Sequence, residues 1–495
     1  MATPKVCGIE TEYGIAAAGG ANPTLASSLL VTGYAAMVDR RTAWDFDDES
    51  PGTDARGAPE PGAMAPIVET NLANTVLTNG ARFYVDHAHP EYSTPECATA
   101  LELVLHDKAG EEVLRRAIEA AATLYPKAPP VAIYKNNSDR KGNSYGCHEN
   151  YLVDRAVPFS QIVEGVLPHF VTRQVFAGAG KVGVETDALD PARVPFQISQ
   201  RAEFFEEVVG LETTVKRPIV NTRDEPHADA RRFRRLHVIV GDANLAEVAT
   251  FLKVGTTALV LAMIEDRMLP ARELRPADPV RALHQVSADL SLSVPIRLAD
   301  GSTATALEVQ WELLGAARRY AKEAGLDALG GDGPGGAVLA RWEAVLHALE
   351  TDPDALARQL DWVAKHQIMR AFCERRSCDW SDSRLAAMDL QYHDLRPERS
   401  LFQRLAMERL VDERDRDQAV SQPPRDTRAF FRGTCLARWP EAVVSANWDS
   451  LVFDVGADTL RRVPMMDPLK GTADYTADLL DASADPAALL ERLSS

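Results

Sequence analysis

Asn79-Gly80-Ala81-Arg82-Phe83-Tyr84-Val85-Asp86-His87-Ala88-His89-Pro90-Glu91-Tyr92-Ser93-Thr94-Pro95-Glu96 is the stretch on which the reading of the fold turns. Asn79-Gly80 is a turn dipeptide, and Arg82 to Val85 alternates aromatic and β-branched side chains as a half-buried strand does. Asp86 to Glu96 then concentrates three carboxylates and two histidines. Pro90 is expected to turn the chain out of the ladder, because it has no N–H to donate. Ser93 and Glu96 have capping-box spacing and Pro95 suits a first helical turn, so a helix is expected to start here, with Glu96 as a cap. A strand, a bend and a helix start would place Asp86, His87, His89 and Glu91 near a sheet edge. A solvated loop is the alternative.

Upstream, Val6 to Ile15 reads VCGIETEYGI. Alternation puts Gly8, Glu10, Glu12 and Gly14 on one face and Ile9, Thr11, Tyr13 and Ile15 on the other. Two carboxylates two residues apart on a strand stand roughly 6.6 Å from one another. That spacing suits one divalent ion or two bridged ions. An ordinary amphipathic strand with its glutamates in water gives the same pattern.

The chain has 495 residues, 45% of them hydrophobic, and a formal charge of −18. It can bury one large core or two to three ordinary ones. The charge argues against a mainly electrostatic nucleic-acid binder. No apolar run suggests a membrane span and Met1 to Val6 is not a secretory leader, so a cytoplasmic location is expected. The six cysteines form no CxxC motif, and Cys147 is expected to pack in the core with its thiol reduced.

Trp44 to Met64 is rich in Asp, Glu, Gly and Pro, a composition that resists packing; a mobile flap near the site is expected, with a neutral insertion as the alternative. Helices are expected over Leu25 to Val38, Pro95 to Tyr125 with a break at Asp107 to Gly110, and Phe159 to Gly178. Others are expected after an Asn244–Glu247 cap and over Ala306 to Ala324, Gly336 to Leu349, Asp354 to Phe372 and Ala484 to Leu493. Met388 to Leu395 is expected to connect helices, with His393 and Asp394 bracing the fold. In Asn143 to Val153, His148 and Asn150 share one side of a strand. Arg217 to His237 carries Arg223, Arg231, Arg232, Arg234 and Arg235, which suit an anionic ligand or a solvated charge run. After Gln422-Pro423-Pro424 the composition changes. Phe430 to Val455 reads as strand-rich, so a small C-terminal domain is expected over 423–495, after a catalytic domain over 1–422 whose insertion covers about 40–70.

Taken together, GIETEYG, YVDHAHPEYSTPE, GCHENYL and RRLHVIVGDANLAE resemble the Dop and PafA family of the bacterial Pup-proteasome system, related to glutamine synthetase and the γ-glutamyl-cysteine ligases. The resemblance implies an α+β fold: a glutamine-synthetase-like curved, mostly antiparallel sheet backed by helices, with a small C-terminal domain. DHAHPEYS and the long insertion before it resemble the depupylase branch. They imply hydrolysis of the isopeptide bond between Pup and a substrate lysine, and deamidation of Pup's C-terminal glutamine. A Pup ligase and a non-catalytic Pup- or nucleotide-binding module are the alternatives.

Asp86 matches the family's catalytic aspartate, as nucleophile or as water-activating base. Glu10 and Glu91, then His148 and Glu12, match metal ligands. His237 is implied as a phosphate or metal contact, Arg201 and Arg223 as contacts to phosphate or the Pup carboxylate, and Arg425 and Arg428 as nucleotide contacts. ATP, or ADP with phosphate, and Mg2+ are the implied cofactors. Pup and pupylated proteins are the implied partners, with Arg231, Arg232, Arg234 and Arg235 as a groove for acidic Pup. Neither nucleic acid nor membrane is expected as a partner.

Overall fold

The computed structural model describes residues 1–494 except 40, 41, 47, 48, 51, 58–71 and 271. At its centre is a six-stranded sheet. Its strands are β1 (Cys7–Glu12), β2 (Asn74–Val76), β3 (Arg82–Asp86), β4 (His89–Ser93), β5 (Cys147–Asp154) and β6 (Phe233–Val238), ordered β6-β5-β1-β4-β3-β2. Every neighbouring pair is antiparallel. The helix side of the sheet carries Ile9, Phe83, Val85, Tyr92, Tyr151 and Val238, all buried in the main core. Against it pack α1 (Pro23–Met37), α2 (Ala100–Leu124) and α3 (Glu247–Glu265). The fold is therefore α+β, an antiparallel sheet backed by helices. Helix α3 is long and apolar enough to cross a membrane, but its apolar window lies wholly inside this core.

The opening stretch is a hairpin, which corrects the expected bend. Asp86 pairs with His89 and Val85 with Pro90, around a two-residue turn at His87-Ala88. His87 has φ 52°, as the first residue of a primed turn requires. Pro90 stays in the sheet because the bond it cannot make lies opposite Tyr13, just past the end of β1; its carbonyl still accepts from Tyr13 N at 3.0 Å. One lost ladder bond costs about 0.5–1.5 kcal/mol. Burying Phe83, Val85 and Tyr92 contributes about 1.5–3 kcal/mol each, which is the larger effect.

The helix expected at Pro95 begins at Ala100. Thr99 is the cap, accepting from Glu102 N, while the Glu102 side chain accepts from Ala98 N. No break occurs at Asp107 to Gly110. Asp107 and Glu111 are ion-paired with buried Lys135, and Gly110 makes room for the Tyr92 ring, whose nearest atom would lie 2.4 Å from an added Cβ.

Other expectations shift. Helix α3 starts at Glu247, and its end is satisfied by Asp361, which accepts from Ala246 N at 3.0 Å, while the Asn244 amide donates to Ala177 O. Ser383–Tyr392 is a helix, beyond which His393 contacts Lys365 and Gln200. The helix expected from Gly336 starts earlier, spanning Asp332–Thr351.

A second core gathers Trp44, Val76, Phe431, Leu436, Val443, Leu451, Phe453 and Leu480. Its sheet comprises Arg461–Pro464, Ser450–Phe453, Val443–Ala446 and, from far upstream, Ala43–Trp44. Ala429–Arg438 is helical, where strands were expected from Phe430. The start of the insertion is packed, not free. Trp44 and Phe46 join the second core, Trp44 Nε1 donates to Glu49 at 2.6 Å, and Thr53 and Ala55 exchange backbone bonds with Asp224 and Thr222. Residues 47, 48, 51 and 58–64 of the expected flap lie outside the described residues.

Candidate active site

Strand pairing decides which side chains meet, because directly opposed residues share a face. Glu10 opposes Ser93 on β4 and His148 on β5; Glu12 opposes Glu91, which opposes Tyr84; Asp86 opposes His89; Asn150 opposes His237. All therefore project from the face away from α2 and α3. Two sets of potential ligand atoms result, each mutually within 4.8 Å: Glu10, His148 and His237, and Glu12, Asp86 and Glu91.

The first set is rich in cations and donors. Asn150 Nδ2 donates to Glu10 Oε1 at 2.8 Å, Arg235 Nη1 lies 3.5 Å from the same oxygen, and His148 Nδ1 lies 3.7 Å from Glu10 Oε2. The His148 and His237 rings meet edge to face at 5.0 Å. Burial opposes charge on Glu10, but the hydrogen bond with His148 and the Arg235 charge outweigh it and hold its carboxyl well below the usual range. Burial pushes His237 well below its ordinary value, so it is neutral.

The second set is acidic. Gly146 N donates to Glu12 Oε1 at 2.8 Å, and His89 Nδ1 lies 3.3 Å from Glu12 Oε2. His89 also packs on Tyr145, with ring centres 4.4 Å apart. Against the cost of burial, these contacts hold Glu12 down at about 2. Glu91 goes the other way. Burial and the charges of Asp86, Glu12 and Glu10 push it well above the usual range, and the hydrogen bond from Tyr84 OH offsets only part of that. A bound dication would reverse this balance, because its own charge becomes the largest one nearby. Three carboxylates fit an oxygen-preferring ion such as Mg2+, and two imidazoles with one carboxylate fit a divalent cation as well.

The acidic set opens into a cleft of about 860 Å3, lined by Glu12, Asp86, His87, His89, Arg201 and Arg217 among others. Asp86 is 27% exposed there, and His87 Nδ1 lies 3.1 Å from it. The cation-rich set borders a narrower slot beneath the C-terminal residues, where Gly8, Glu10, Asn150, Arg235, Arg428 and Trp448 converge.

The expected arginines separate. Arg201 is buried in the cleft wall, donating to Ile239 O, Gly241 O and Ser144 Oγ. Arg223 has a buried Nε with no hydrogen-bond partner among the described residues. Arg235 faces Glu10, but its sequence neighbour Arg234 faces the other way, buried against Asp224 at 2.9 Å. Arg231 is 91% exposed and Arg232 pairs with Asp467. Strand alternation thus divides what looked like one groove. Arg428 lines the slot but is bonded to Glu96 and Met465 O; Arg425 is exposed, stacks on Phe430 and lines neither cavity. Glu96 is not a cap: it binds Arg428 and Arg432 and joins the sheet to the second core.

Sequence reasoning missed Tyr84 as a partner of Glu91 and gave Asn150 no role. Tyr84 reads as one more apolar strand residue until the hairpin register is known. Asn150 had a signal, its position two residues after His148 on the same strand face.

Residues 5–452 match the family model described as Pup-ligase protein. A protein named depupylase from Acidothermus cellulolyticus is 50% identical, with 99% of each chain covered. One named Pup deamidase/depupylase from Mycobacterium tuberculosis is 45% identical, again with 99% of each covered. Among solved structures, the ligase PafA in complex with Pup superposes with a TM-score of 0.80 at 31% identity, covering 99% of this chain and 94% of that one. PafA in complex with ADP gives 0.73 at 36% identity, covering 82% and 89%.

Proposed function

The chain belongs to the Pup-ligase protein family, and from that premise we infer that it is a depupylase and Pup deamidase. It hydrolyses the isopeptide bond between Pup and a substrate lysine, and converts Pup's C-terminal glutamine to glutamate. Pup and pupylated proteins are its partners, and it binds an adenine nucleotide. We place it in the cytoplasm, with ATP, or ADP and phosphate, and Mg2+ as cofactors.

The observation that carries the catalytic reading is the position of Asp86. It ends β3, sits against Glu12 and Glu91, and faces the cleft that a Pup terminus would enter. Amide hydrolysis needs a nucleophile and a means of stabilising negative charge on the carbonyl oxygen. Asp86 supplies the first, by attacking the carbonyl carbon or by taking a proton from attacking water. Divalent cations and nucleotide, when bound, would supply the second. Glu10, His148 and His237 would hold one ion, and Glu12 and Glu91 with Asp86 would hold the other. Tyr84 keeps its proton, because burial and the Glu91 charge raise its hydroxyl well above its ordinary value, so it orients Glu91 as a donor. Arg235 lines the slot, where phosphate charge would meet it. The slot is lined by Trp448, Pro226 and Leu152, a surface suited to a flat base.

A gel assay with a Pup-linked protein, glutamine-ended Pup and ATP tests the reading. Release of the linked protein and deamidation, with ATP present but not consumed in proportion, are expected. Joining of glutamate-ended Pup to lysine with stoichiometric ADP would make the chain a ligase, the activity named for its structural neighbours. Binding of Pup with neither reaction would leave a non-catalytic module.

A further inference from the structure

Asn150 touches three charged or titratable groups of the Glu10 set at once. Arg235 Nη1 lies 2.8 Å from its Oδ1, and a guanidinium can only donate, so that amide atom is the oxygen. The amide nitrogen is then left to donate to Glu10, which a carboxylate accepts. His237 Nδ1 lies 3.0 Å from the same Oδ1, so Nδ1 must carry a hydrogen. A neutral imidazole has one N–H, and its second nitrogen bears the lone pair. That nitrogen, His237 Nε2, is buried with no hydrogen-bond partner among the described residues. His237 as a whole is 1% exposed, and one of its ring nitrogens lies within 4.8 Å of a donor atom of both Glu10 and His148. Gly146 completes the fit, because a Cβ there would come within 2.4 Å of His148 Nε2.

We propose that Asn150 is a positioning residue that locks His237 in its Nδ1–H tautomer, so that Nε2 joins His148 and Glu10 in a site for a divalent transition-metal ion of the Mn2+ class. Two imidazoles and one carboxylate favour such an ion over Mg2+, whose preference is for oxygen alone. The neighbouring three-carboxylate set keeps the opposite preference, so the two positions are chemically distinct. The hydrogen-bond partner on the far nitrogen is what fixes a ligating histidine, and its loss weakens metal binding by about 10–100-fold. The inference rests on the two sets being cation sites, and is independent of Pup as substrate.

The test uses the metal-free full-length protein, without Pup or nucleotide, carrying 15N-labelled histidine. The His237 resonances are identified by their loss in His237→Gln. Wild type should show Nδ1 protonated and Nε2 bare. Asn150→Asp, which keeps an acceptor oxygen, should retain that tautomer, and Asn150→Ala should lose it. Titration of Mn2+ followed by electron paramagnetic resonance should show binding about 10–100-fold weaker in Asn150→Ala than in wild type. Competition with Mg2+ at equal concentration should leave Mn2+ bound. A wild-type His237 protonated on Nε2, an Asn150→Ala protein with unchanged tautomer and Mn2+ affinity, or ready displacement of Mn2+ by Mg2+ would each overturn the proposal. A protein that passes these tests yet leaves Pup conjugates intact would overturn the depupylase reading alone.

Discussion

The Glu10 set and the Glu12 set lie side by side on one sheet face, two residues apart along β1, yet their charges are balanced in opposite ways. Glu10 is surrounded by donors and cations, and its charge is settled before any ligand arrives. Glu12 and Glu91 oppose each other across the strands with Asp86 beside them, and the repulsion is taken up by Glu91. Both sets fit a cation, but the fold itself balances the charge of the first, whereas the balance of the second is completed by an ion. Glu96 shows the first arrangement carried to its limit, a carboxylate held by two arginines with no capacity left for a ligand.

That contrast can be broken or sharpened by substitution. The largest effect is expected at Glu96. Its carboxyl is held at about 2, against an ordinary value of 4.5, burial being outweighed by Arg432 and Arg428. A depressed folded value means that the stabilisation is full above pH 4.5 and is lost as pH falls towards 2. The difference is worth roughly 3 kcal/mol. Denaturant midpoints measured from pH 6 down to 3 should fall steeply in wild type and more gently in Glu96→Gln.

Next, Glu10→Gln should destabilise the metal-free protein by about 2 kcal/mol, because it removes one of the two carboxylates that face buried Arg235 and leaves only Glu225, at 3.6 Å. Glu91→Gln should act in the opposite direction. Removing one of three crowded carboxylates is expected to stabilise the metal-free protein by about 1 kcal/mol, while calorimetry shows Mg2+ binding at least about tenfold weaker. Loss of stability in Glu91→Gln would contradict the comparison. At the low end, Arg231→Ala should change stability by less than about 0.5 kcal/mol, since its side chain is almost fully exposed beside Asp229.

Much of this face was legible in the sequence, because alternation is a local property. CGIETE and RFYVD each announce a strand; the first places its two carboxylates on one side, and the second ends in Asp86. What alternation could not supply was register. Ser93 and Glu96 match a capping box as well as Thr99 and Glu102 do, and only the second pair caps. The first is claimed by partners far away in sequence, Ser93 by Glu10 across the ladder and Glu96 by arginines more than 330 residues on. The arginine cluster failed as a single groove for a related reason: consecutive strand residues point to opposite faces, so Arg234 and Arg235 have different jobs. Pro90 looked like a terminator, and it stays in the ladder because β1 ends where its missing donor would have mattered. The packed start of the insertion was hidden too, since Trp44 finds its core in residues beyond 430.

The central claim is that Asp86 performs the chemistry that its neighbours make possible. Single-turnover hydrolysis of a Pup-linked protein by Asp86→Asn, saturated with nucleotide and Mg2+, tests it most directly. Isopeptide cleavage and deamidation should both slow by about 10²–10⁴-fold, with Pup binding retained; hydrolysis at the wild-type rate would contradict the account.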